Sequence, residues 1–146
     1  MRVVIDHVVG SRRGQRQELP ADARVRFGRH PDCEVAFDPV RDLDASSRHA
    51  ELRPVEAGGW VLVDIGSSNG TYVDGRRVTE AKVPPGVPLV VEFGHDGPQI
   101  RLFVGEPEAA AQVPPPVVPR RRPRWLAPAA IAAGVLIIAL VLALLR

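Results

Sequence analysis

Asp64-Ile65-Gly66-Ser67-Ser68-Asn69-Gly70-Thr71-Tyr72-Val73 reads as the end of one strand, a polar turn and the start of the next. Ser, Asn and Gly suit the turn because they bond their own backbone or accept a left-handed residue. Tyr72 and Val73 return to residues that favour a pleated, half-buried strand. The string Gly66-Ser67-Ser68-Asn69-Gly70 also fits the Gly-x-Ser-x-Gly pattern of serine hydrolases. That motif needs a helix after the turn, whereas strand and turn residues follow here. A chain of 146 residues is also too short for such an enzyme. The stretch therefore predicts a binding loop between strands, and no catalysis is expected.

Working outward, the same alternation of short apolar runs and turn residues fills the first 104 residues. Candidate strands are Val3–Val9, Arg24–Phe27, Glu34–Phe37, His49–Arg53, Trp60–Asp64, Tyr72–Val73, Pro88–Glu92 and Gln99–Val104. Gly, Pro, Asn and Asp clusters separate them. Arg24 and Arg26 alternate with Val25 and Phe27, as in a half-buried strand. No helical periodicity stands out before residue 105. Many short, closely spaced strands predict an all-β sandwich of antiparallel strands.

Two further clusters carry polar residues of functional type: Phe27-Gly28-Arg29-His30-Pro31-Asp32 and Ala45-Ser46-Ser47-Arg48-His49-Ala50. A phosphate monoester brings nearly two negative charges and several acceptor oxygens. It calls for a fixed cation and several donors, placed on loops above a rigid sheet. Arg29 offers a guanidinium fork for phosphate oxygens. Ser46 and Ser47 offer hydroxyls, and the Asn69 amide can both donate and accept, which suits a peptide main chain.

In order and spacing, the three clusters resemble the forkhead-associated (FHA) family, whose pattern is Gly-Arg, Ser-x-x-His, then Asn-Gly-Thr-x-Val. The intervals are 17 residues from Arg29 to Ser46, 3 from Ser46 to His49 and 20 from His49 to Asn69. The resemblance covers residues 1–104. It implies an FHA β-sandwich with Arg29 and Ser46 on phosphate, Asn69 on the peptide backbone, and Ser47 and Ser68 assisting. It also implies phosphothreonine preferred over phosphoserine, a structural role for His49, and backbone or loop-closing roles for Gly28, Gly70 and Thr71. Asp38, Asp42 and Asp44 lie just before Ser46 and predict a preference for neutral or basic residues around the phosphothreonine. They lack the glycine and terminal Glu of a calcium loop, so no metal and no cofactor is expected.

Charge divides the chain. Residues up to 105 hold 14 Lys+Arg against 15 Asp+Glu, while Arg120, Arg121, Arg122, Arg124 and Arg146 face only Glu106 and Glu108 beyond it. The basic character belongs to the tail and does not point to nucleic acid. Cys33 is alone, which excludes an intrachain disulfide and a cysteine zinc cluster. It reads as a small core residue. The N-terminal MRVVIDHVVG lacks the features of a signal peptide. The predominance of Arg over Lys, with much Ala, Pro, Gly and Val, suggests a high-GC bacterial genome.

Residues 105–124 are rich in Pro and Arg and predict an extended, semi-stiff linker. Leu126–Leu145 is a run of 20 uncharged residues, long enough as a helix to cross a bilayer. Arginines and Trp125 just before it fit the positive-inside and aromatic-belt rules. Residues 125–146 are therefore expected to form a C-terminal transmembrane anchor in the inner or plasma membrane, with the N-terminal domain cytoplasmic. The function expected is phosphothreonine-dependent binding of a Ser/Thr kinase or its substrate at that membrane. The alternative is a phosphate-independent scaffold like the FHA-type components of secretion systems. Thr71 and Thr79 are the only threonines and both fall inside the domain, so the phosphate is expected on another protein.

Overall fold

The computed structural model describes residues 1–115. The expected anchor at 125–146 and the linker from residue 116 lie outside the described residues. Eleven strands and one short helix follow in the order β1 (Arg2–Val9), β2 (Arg16–Pro20), β3 (Val25–Gly28), β4 (Val35–Ala36), β5 (Ala50–Pro54), β6 (Trp60–Asp64), β7 (Thr71–Val73), β8 (Arg76–Val78), β9 (Glu80–Val83), β10 (Leu89–Phe93), β11 (Gln99–Gly105) and α1 (Pro107–Gln112).

They form two sheets, ordered β2-β1-β11-β10-β7-β8 and β4-β3-β5-β6-β9. The pairing is antiparallel except for β3 with β4, which run parallel over two rungs. Residues 29–34 bring the chain back alongside β3 so that β4 can run parallel to it, and the long excursion between β4 and β5 carries the Ser46 cluster. Core residues come from both sheets. Val3, Ile5, Val91, Phe93, Ile100 and Leu102 of the larger sheet meet Val25, Phe27, Leu52 and Leu62 of the smaller one. Phe27 and Phe93 stack across the interface with centroids 5.2 Å apart, and Phe37 joins them at 4.9 Å from Phe93. This aromatic cluster underlies the end of the sandwich from which the polar loops rise. Cys33 is buried, as expected, with its Sγ 3.8 Å from the Ser47 carbonyl oxygen.

The strands missing from the sequence reading are β2, β8 and β9. Each lies at the edge of a sheet, where outward charge discourages pairing with other chains. Arg and Glu residues thus interrupt the apolar runs that mark interior strands.

The linker also starts later than expected. Gly105 completes β11, and residues 107–112 form a helix rather than extended chain. Pro107 sits in the first turn, where its missing N–H costs nothing, and Glu108 through Gln112 favour helix. Ala110 is buried against Val4 and Phe103, with Val113 packed alongside. Beside the helix, Asp6 accepts from Arg16 at 2.6 and 3.0 Å and from Arg101 at 2.9 Å. These three are cross-strand neighbours. Arg16 also donates to the carbonyl of Val113 at 2.7 Å, and Arg101 to that of Pro114. The row of charges thereby clamps the departing chain to the sheet.

Candidate functional site

The loops after β3, β4 and β6 meet at one end of the sandwich, and the sequence-predicted residues lie where they touch. Gly28 ends β3 so close to the next loop that an added Cβ would lie 2.1 Å from the Ser47 carbonyl oxygen. This lets the Arg29 amide donate to Ser46 O at 3.1 Å and that of His30 to Ser47 O at 3.0 Å. Arg29 continues the contact with its side chain: Nε donates to Ala45 O at 2.6 Å and Nη1 to Pro39 O at 3.0 Å. Neutral carbonyls hold the guanidinium in place without cancelling its charge. A guanidinium has five N–H donors, so Arg29 keeps donors for a ligand.

Ser46 joins the second loop to the third. Its hydroxyl accepts the Ser68 amide at 3.0 Å, which leaves the hydroxyl proton to donate outward. Asn69 gives one N–H to Asp44 O at 3.0 Å and keeps its carbonyl and other N–H for a ligand. Arg29, Ser46, Ser68 and Asn69 are thus tied into one surface. Ser47 is exposed beside them, and its carbonyl rather than its hydroxyl makes the bond that shapes the loop.

His49 is fully buried, edge-on to Phe93 at 5.3 Å. The Ser46 amide donates to its Nδ1 at 3.0 Å, so Nε2 carries the proton and donates to Gly70 O at 2.9 Å. One neutral imidazole therefore fixes the second and third loops together. Burial pushes its pKa down, partly offset by the bond to Gly70. Thr71 is likewise buried and donates its hydroxyl to Asp64 at 2.8 Å.

Asp64 is a site-organising residue that the sequence reading passed over. Its carboxylate also takes the Ser67 hydroxyl at 2.5 Å and the amides of Gly66 and Ser67 at 2.9 Å. Burial pushes its pKa up, but these donors prevail and hold it below the ordinary carboxylate value. The readable signal was an Asp two and three residues before Gly and Ser, the pattern of a side-chain-capped turn. Asp42 was misjudged in another way. It is buried and accepts the Ser11 amide and hydroxyl at 3.0 and 2.6 Å and the Asp38 amide at 3.0 Å. Asp38 in turn caps the amides of Val40 and Arg41, both at 2.8 Å. These two carboxylates shape their own loop and do not confront an anion. Asp44 alone of the three stays exposed and, among the described residues, without a side-chain bond.

Residues 25–92, which hold the Arg29, Ser46 and Asn69 loops, match the family model described as the FHA domain. The folded unit is an FHA domain. Over 59 residues it is 46% identical to the glycogen accumulation regulator GarA of Mycolicibacterium smegmatis, covering 40% of this chain and 35% of that protein. It is 52% identical over 66 residues to the FHA domain-containing protein FhaB of the same organism, covering 44% and 40%. The chain therefore matches well under half the length of either relative. A solved FHA structure, determined for phosphothreonine-dependent FHA domain interactions, superposes with a TM-score of 0.57 at 27% identity, covering 71% of this chain and 97% of that one.

Proposed function

We propose that this FHA domain binds a phosphothreonine segment of a partner protein, a Ser/Thr kinase or its substrate, and serves signalling as a reader rather than as a catalyst. The observation that carries this reading is the seating of Arg29. Two backbone carbonyls aim its guanidinium at the junction of three loops, beside the outward-donating Ser46 hydroxyl and the half-used Asn69 amide. A dianion placed there would meet charge-assisted donors that need no rearrangement. The solved structure with phosphothreonine-dependent interactions supports the same reading. An FHA scaffold indifferent to phosphate has no need of a cation held in this way.

The reading extends to location. The uncharged run at 126–145, preceded by arginines and Trp125, supports a single-pass anchor with the FHA domain on the cytoplasmic face. Among the described residues no helix is long and apolar enough to cross a membrane, so the anchor rests on sequence. Tethering would raise the effective concentration of reader and partner at one surface.

The test is titration of the full chain in mild detergent with fluorescent peptides in phosphothreonine, phosphoserine and unmodified forms. Arg29→Ala is expected to weaken phosphothreonine binding at least tenfold, the usual scale for a lost charge-assisted contact. Fractionated cells should hold the full chain in the membrane pellet and release a chain ending at residue 115. Phosphate-independent binding that survives Arg29→Ala would favour the scaffold role instead.

A further inference from the structure

Arg77, on β8, stands directly across from Tyr72 on β7. Thr71 turns into the core, so Tyr72 and its partner Arg77 share the outer face of the six-stranded sheet. The Arg77 guanidinium nevertheless reaches back over the third loop. A Cβ built on Gly70 would lie 2.7 Å from Arg77 Nε and 3.1 Å from Cζ. Gly70 thus has two reasons to lack a side chain, its left-handed φ of 84° and this close approach. The cation is parked one residue beyond Asn69, the group that would hold a ligand's main chain.

Its surroundings leave it available. Arg77 is exposed and, among the described residues, has no ion pair or side-chain hydrogen bond. Among the domain's other arginines, Arg16 and Arg101 bind Asp6, Arg26 binds Glu34, Arg48 binds Asp32, Arg24 and Arg53 bind Glu51 and Arg2 binds Glu18. The nearest acid along the strand row is Glu92, across from Tyr72 on its other side. Its carboxylate already accepts the Asp96 amide at 2.9 Å and the Gln99 amide group at 2.8 Å. Asp44, the exposed acid of the second loop, has its Cβ turned to Gly97.

We propose that Arg77 is a specificity-determining residue, pairing with an acidic side chain on the flank of the phosphopeptide that passes over Gly70. This rests on the phosphothreonine reading above and reverses the preference for neutral or basic flanks expected from Asp38, Asp42 and Asp44. Arg77 stands outside the phosphate contacts, so it discriminates among phosphopeptides without being needed to bind phosphate.

The test uses the full chain and phosphothreonine peptides in which each of the three residues on either side is in turn Asp, Ala or Lys. At one or two positions Asp should bind about two- to fivefold more tightly than Ala, the range of a solvent-exposed ion pair. Arg77→Ala should abolish that difference while binding the Ala peptides as the parent does. Arg77→Glu should shift the preference to Lys at the same positions. An acid preference that is absent, or that persists in Arg77→Ala, overturns the role of Arg77 while phosphate dependence and Arg29 dependence stand. Loss of phosphate dependence in the parent chain overturns both readings together.

Discussion

Gly28 shows how a single missing methyl group builds the site. Its φ lies outside the left-handed region, so the constraint is steric: the Ser47 carbonyl occupies the space that a Cβ would need. Gly28→Ala must push the second loop away from β3, breaking the amide bonds of Arg29 and His30 to it. We expect a loss of about 1–3 kcal/mol, the usual cost of forcing atoms into a packed position, measured by denaturant titration. Phosphopeptide affinity should fall as well, because the same bonds aim Arg29. The residues proposed to meet a ligand were legible in sequence because they keep a fixed order and spacing on exposed loops. Those that hold the loops were less so. Asp64 and Asp42 look like any loop acid until folding shows which amides they collect. Arg77 was illegible for a different reason: only the β7–β8 hairpin brings it back beside Gly70.

At the scale of elements, the interior strands were readable from their apolar alternation, as at Trp60–Asp64, where sequence and structure agree on both ends. The edge strands β2, β8 and β9 and the helix α1 were not, whereas the short edge strand β4 was found within Glu34–Phe37. In α1 the prolines around a short alanine run averaged to a linker composition, although Pro107 marks a helix start and Pro114 its end. What makes six residues of helix stable is tertiary contact: Ala110 on Val4 and Phe103, and two arginines on the carbonyls that follow. Asp6 is 1% exposed and holds both arginines in position. Asp6→Ala should leave two partly buried guanidinium groups without a counterion and destabilise the domain by about 2–3 kcal/mol. Limited proteolysis should then cut near Gln112, while the distant Arg29 loops still bind. Unchanged protease resistance there would mean that α1 is held by its apolar contacts alone.

For the whole molecule, pH reports how much of the fold depends on neutral buried histidines. Burial, with the Arg12 charge, pushes His7 down to about 4, and burial lowers His49. Each is a base whose folded pKa lies below its unfolded value near 6.5. Their contribution is therefore full above pH 7 and is lost as pH falls through 6.5. For His7 the loss at pH 5 is on the order of 2 kcal/mol. Glu34 acts in a lower window: Arg26 holds its carboxyl down at about 2, so its contribution is present above about pH 4.5 and lost below. Melting temperature should be level from pH 8 to 7, fall towards pH 5, and fall faster below 4.5; His7→Gln should flatten only the upper limb. The arginine clamp has a consequence for posture. Strand β11 runs away from the loops that carry Arg29, Ser46 and Asn69, but α1 doubles back and secures Pro114 beside Arg101, partway up the sheet. The described residues therefore end on the flank of the sandwich rather than at its far pole. Under the proposed anchor, a tether that starts there would hold the domain by its side rather than by its foot, and would turn the Arg29 loops sideways to the surface.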